Sequence, residues 1–133
     1  MESRFEEINA FERHLVDNDI TVIKFFLHLS KDEQRERFLD RLNEPGKLWK
    51  FSAADLAERG HWDEYQEVYE KMLRATSTAH APWYVIPADR KWFARAAIAD
   101  VIARRIEELG LEPPQPSAEQ IAGADEYRKA LGG

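Results

Sequence analysis

The side chains in this sequence best suited to chemistry are cations spaced along one stretch. On a helical segment, Lys31 to Leu42, the residues Glu33, Arg37 and Arg41 stand four apart, as do Lys31 and Arg35. Lys47 and Lys50 follow in an irregular basic and aromatic segment, and Arg59 lies just before Gly60. Guanidinium groups bind carboxylate or phosphate oxygens through paired planar hydrogen bonds, whereas ammonium groups act as point charges. Anion binding is therefore open to this set. Between Lys31 and Gly60, however, seven basic residues face seven acidic ones, so the stretch is not a basic patch by count. Spacing alone favours a solvated, ion-paired surface, and any phosphate role must come from placement.

Other chemistries are narrower. Cysteine is absent, which excludes disulfides and thiolate metal sites and leaves the redox compartment open. His28 ends an apolar run, but no HxxxH spacing or carboxylate pair accompanies it, so it reads as a hydrogen-bonded structural histidine. With 25 acidic against 19 basic residues the net charge is −6, which argues against a general nucleic-acid or anionic-membrane binder. Neither a signal peptide nor a run of about 18 apolar residues occurs, so a soluble cytoplasmic protein is expected.

The elements that must position these residues begin with a helix from Glu2 to Val16, with Phe5, Ile8, Phe11 and Leu15 on its apolar side and Glu12 largely elsewhere. Asp17, Asn18 and Asp19 turn the chain into an apolar strand, Ile20 to Leu29, which reads as buried on both faces. Ser30 with Glu33 forms a capping box for the Lys31 to Leu42 helix. Asn43 to Gly46 breaks that helix, and Trp49 in the next segment reads as a packing anchor. Ser52 with Asp55 opens a short helix ending at Gly60, and a longer one runs from His61 or Trp62 to Ala75. The stripe Trp62, Tyr65, Tyr69, Met72 on it reads as core. A second strand, Trp83 to Ile86, precedes a helix from Arg90 to Leu109 that Asp89 can cap, with Ile98, Ile102, Ile106 and Leu109 on its buried line. Glu112 to Pro116 is a stiff linker to a terminal helix, Ser117 to Leu131.

This layout leaves a difficulty. A strand as apolar as Ile20 to Leu29 expects a neighbour on each edge, yet only Trp83 to Ile86 is available. A bare apolar edge is a pairing or aggregation site. Either the chain is part of a larger domain or its sheet is completed by another chain.

The blocks RFEEINAFE at 4–12, KFFLHLSKDEQRER at 24–37, EPGKLWKFS at 44–52, WDEY at 62–65 and APWYVIPADRKW at 81–92 resemble the polyphosphate kinase 2 family in order and spacing. The resemblance covers Arg4 to Leu111. It implies an α/β fold, here a partial P-loop kinase-like parallel sheet of two strands with a helical lid and flanking helices. Residues 1–112 would be the carboxyl-terminal part of that domain, with the lid at about 31–75, and 113–133 a Pro-rich linker and terminal helix. The implied activity is magnesium-dependent transfer of a phosphoryl group between inorganic polyphosphate and a nucleoside mono- or diphosphate.

The resemblance also implies what is missing. Family members carry a Gly-rich phosphate-cradling loop with its Lys, and an Asp-bearing strand that manages magnesium, upstream of the part matched here. No GxxxxGK(S/T) run occurs in these 133 residues. Phosphoryl transfer depends on that loop and the metal, so no catalytic residue and no magnesium ligand is expected in this chain, and the chain alone is expected to be inactive. It would be a truncated gene product, an expressed fragment or one half of a split enzyme. Its partners would be polyphosphate, a nucleotide, and a missing amino-terminal half or a second copy. The alternative is a non-catalytic remnant acting as an oligomerising or regulatory partner of an intact kinase. By the same resemblance, Arg37, Arg41, Lys47, Lys50 and Arg59 would contact phosphate oxygens from the lid, and Asp89 and Lys91 would lie on the nucleotide side.

Overall fold

Two five-residue strands, β1 (Lys24–His28) and β2 (Trp83–Pro87), pair in parallel, with Lys24 opposite Trp83 and His28 opposite Pro87. The structure, a computed structural model, describes residues 2–132. Around the strands lie α1 (Glu2–Asp17), α2 (Lys31–Asn43), α3 (Ala53–Gly60), α4 (Trp62–Thr76), α5 (Lys91–Glu108) and α6 (Ala118–Ala130), with a short 3-10 turn at Leu48–Lys50. The α/β class and the two-stranded parallel sheet agree with expectation. No described helix is long and apolar enough to cross a membrane.

The first strand is shorter than its apolar run. Pairing begins at Lys24 because β2 offers only five partners, and Ile20 is left half exposed. The turn before it forms as expected, with Asp19 at φ 62°, a left-handed conformation that Asp tolerates.

Side chains alternate across the two strands. On one face Phe25, Tyr84 and Ile86 pack with Ala88, Ala94, Ala97 and Ile98, so α5 covers this side. On the other, the Phe26 ring lies 5.2 Å from that of Tyr69 on α4. Burial on both faces is nevertheless incomplete: Leu27 is 53% and Val85 55% exposed. The line expected to be buried on α5 is corrected likewise, since Ile98 packs in the core while Ile102, Ile106 and Leu109 are exposed. On α1, Phe11 is exposed and Glu12 buried, because Glu12 has an ion-pair partner inside.

Local capping chemistry explains three helix starts, those of α2, α3 and α6. Ser52 and Asp55 form a reciprocal capping box on α3, as do Ser117 and Gln120 on α6. Ser30 accepts the Glu33 N–H at 3.1 Å, but its own N–H donates to Asp89 Oδ1 at 2.7 Å, so a residue of the β2–α5 junction completes the cap of α2 in place of Glu33. The chain forms two compact units, one ending at Ile102 and one beginning at Ala103, a division that falls within α5.

Candidate functional site

A cleft of about 370 Å³ opens at the carboxyl end of β1, between the strand and the α2 to α4 arm. Aromatic side chains dominate its wall: Phe26 from β1, Phe38 from α2, and Trp62, Tyr65 and Tyr69 from α4. Residues three, four and seven apart share a helix face, so the α4 stripe presents three rings to one side, with Tyr65 and Tyr69 centroids 5.9 Å apart. The stripe is thus a cleft wall as well as packing, which corrects its reading as core. Its composition held the signal, because Tyr and Trp carry polar tips that a dry core would have to satisfy, whereas a wet cleft does so freely. Tyr65 donates its hydroxyl to Glu58, and that hydrogen bond, then the carboxylate's charge, raises the phenol above its ordinary pKa.

The expected cations are distributed unevenly around this cleft. Arg59 lines it, donating from Nη1 to the Lys31 carbonyl at 2.8 Å and to Gln34 Oε1 at 2.7 Å. Arg37 bridges to the strand ends: Nε donates to Glu33 at 2.9 Å and Nη2 to the Ala88 carbonyl at 2.8 Å and the Asp89 carbonyl at 3.3 Å. The Arg41 guanidinium lies 5.5 Å from the Phe38 ring centre. Lys47 pairs with Glu44 at 2.7 Å, and the Lys50 ammonium sits 5.1 Å from the Trp49 ring centre, both on an exposed segment at the tip of the arm. Trp49 is 78% exposed, its indole N–H spent on the Gly46 carbonyl, so it does not anchor packing. The fold therefore brings Arg37 and Asp89 together and leaves Lys47 and Lys50 in solvent.

Asp89 and Lys91 follow β2. The Asp89 carboxyl is held below its ordinary pKa first by the Ser30 backbone N–H, then by the Ser30 side chain and the charge of Arg37. Lys91 is exposed at the start of α5. His28, expected to be a hydrogen-bonded structural histidine, is exposed at the strand end, its ring 6.2 Å from that of Phe26. At the α3–α4 joint, a hydrogen bond to Glu64 at 3.1 Å raises the pKa of His61. Among the described residues no group of three or more His, Asp or Glu side chains is placed to hold a metal ion.

Comparison with known proteins places these elements. The family model described as "Polyphosphate kinase 2 (PPK2)" matches residues 1–112, most of the chain. The chain belongs to the polyphosphate kinase 2 family. It is 53% identical over 112 residues to an "ADP-polyphosphate phosphotransferase" of Rhodopseudomonas palustris, a match covering 84% of this chain and 39% of that protein. It is 50% identical over 130 residues to an "Uncharacterized protein in chlN 3'region" of Leptolyngbya boryana, covering 98% of this chain and 96% of that one. The crystal structure of polyphosphate kinase 2 from Arthrobacter aurescens TC1 superposes with a TM-score of 0.87 at 39% identity, over 96% of this chain and 46% of that one. The chain thus spans less than half the length of the phosphotransferase and of the crystallised kinase.

Proposed function

We propose that this chain is the lid-bearing, nucleotide-side portion of a P-loop-type polyphosphate:nucleotide phosphotransferase, and that it acts only with the remainder of that domain. The observation that carries this reading is the aromatic cleft at the strand ends, lying within the residues that match the family. Base–aromatic stacking contributes about 1–3 kcal/mol per base, and α4 offers three rings for it. Two carboxylates, Asp55 and Glu58, also line this cleft, and its cation, Arg59, already has two acceptors. The cleft therefore suits the nucleoside end better than a polyanion. Phosphate oxygens would meet Arg37, Arg41, Lys47, Lys50 and Arg59 as the arm closes, with Arg37 and Arg59 exchanging carbonyl partners for phosphate. Asp89 and Lys91 border the nucleotide. Metal ligands and the phosphate-cradling loop would come from the remainder of the domain, so no chemical step is assigned to this chain alone.

The test is a polyphosphate-dependent phosphorylation assay with ADP or AMP and magnesium. The chain by itself should show no turnover, and co-expression with the unmatched portion of the Rhodopseudomonas palustris relative should restore it. Turnover of about 1–100 per second by the chain alone, as in ordinary kinases, would overturn the assignment. The missing GxxxxGK(S/T) run also favours a second reading, a non-catalytic partner of an intact kinase. That reading is selected if the chain binds an intact family member without restoring activity to the truncated one.

A further inference from the structure

The ion pair of Lys24 and Glu12 lies outside the cleft and takes no part in the roles above. Its side chains are 9% and 10% exposed and meet at 2.6 Å. The Lys24 ammonium also donates to the Thr76 carbonyl at 2.6 Å and sits 5.0 Å from the Trp83 ring centre. Trp83 Nε1 donates to Thr76 Oγ1, and Asn9 Nδ2 to the Ala75 carbonyl, each at 2.9 Å. Four elements, α1, β1, α4 and β2, converge on the last turn of α4. An ammonium is well satisfied there, because the carbonyls of a helix end lack intrahelical donors and the helix dipole favours a cation.

The same two elements build the cleft at their other ends. Lys24, Phe26 and His28 share one face of β1, and Trp62, Tyr65, Tyr69, Met72 and Thr76 share one face of α4. Thr76 meets Lys24 and Tyr69 meets Phe26, so the helix runs back along the strand from the cleft to the ion pair. Its carboxyl end is pinned by the ion pair, while towards its amino end Tyr69 meets Phe26 and Tyr65 reaches Glu58 along the wall of the cleft. From Thr76 to Trp62 the helix is about 21 Å long, so a tilt of about 5° at the pinned end moves Trp62 by about 2 Å. Displacements of that order at a binding site are costly, since about 1 Å of misplacement can cost a hundredfold in rate.

We propose that Lys24 is a positioning residue: with Glu12 and the Thr76 carbonyl it sets the angle of α4 on β1 and hence the width of the cleft. This concerns the shape of the cleft and stands whichever ligand fills it. The absence of cysteine makes it measurable, because Asp63→Cys on α4 and Arg95→Cys on α5 give two unique spin-label positions. Labelled chain diluted into unlabelled chain reports the intramolecular distance by pulsed electron paramagnetic resonance. Lys24→Met alone leaves Glu12 buried without a partner, so the variant to use is Glu12→Leu with Lys24→Met, which removes both charges and puts apolar side chains of similar size in their place. With circular dichroism unchanged, the distance distribution should shift by about 2 Å or broaden to include that shift. A lowered melting temperature with the original distribution intact would reduce the pair to a structural role and overturn the proposal.

Discussion

Asp89 shows how a single carboxylate changes meaning once its neighbours are known. On sequence grounds it is a nucleotide-side residue or the cap of α5; in the structure its Oδ1 receives the Ser30 N–H and it ties the ends of both strands together. A carboxylate whose pKa is lowered on folding stabilises the native state above its unfolded value and loses that contribution as pH falls through the folded one. The window therefore lies below 3.8, the ordinary value for Asp. Replacing Asp89→Asn should weaken the protein to denaturant near neutral pH, and the gap from wild type should close as the solution is acidified through that window. A carboxyl titration of Asp89 by nuclear magnetic resonance with its midpoint at or above 3.8 would contradict this account. Arg37 belongs to the same junction. Its type and helix position were legible, but its carbonyl partners stand 51 and 52 residues away, beyond any spacing rule.

At the scale of elements, what is encoded locally was readable and what is settled by neighbours was not. The boxes Ser52 with Asp55 and Ser117 with Gln120 each close within four residues, so α3 and α6 start where their sequences indicate. Strand length answers to the partner strand, so the four residues 20–23 ahead of Lys24, three of them apolar, fall outside β1. The aromatic stripe of α4 gave the correct helix and the wrong neighbour, because periodicity identifies a face without saying whether a core or a cleft lies opposite. The α3–α4 joint supplies a prediction of its own. His61 is raised above 6.5 by its hydrogen bond to Glu64, and a group raised on folding contributes stability that is complete below 6.5 and lost as pH rises through the folded value. A histidine ring titration should place His61 above 6.5, and Glu64→Gln should bring it back toward that value. An unchanged midpoint in the variant would assign the shift to other charges.

Across the molecule, the two helices cover the sheet on opposite sides but incompletely. α4 reaches Phe26 on one face while Val85 beside it stays open, and α5 buries Ile86 on the other while Leu27 beside it stays open. The outer edge of each strand is unpaired among the described residues. Such edges invite pairing with further strands. Leu27 and Val85 are already about half covered, so completing their burial is worth roughly 1 kcal/mol each. Association costs about 4–15 kcal/mol in lost freedom, so these two side chains alone hold copies together weakly, and backbone pairing at an edge must supply the rest. The purified chain should therefore associate in a concentration-dependent way, with sedimentation velocity moving from mostly monomer at about 1 micromolar to larger species near 100 micromolar. Leu27→Lys should weaken the shift and leave the fold intact, because Leu27 is already half in water. Phe25→Lys is the poorer test: Phe25 packs on the Ile86, Ala88 and Ala94 core, so a charge there unfolds the unit before it reports on the edge. A monomer at every concentration that unfolds cooperatively, with Leu27→Lys indistinguishable from wild type, would show that two strands and the flanking helices satisfy this sheet without further pairing.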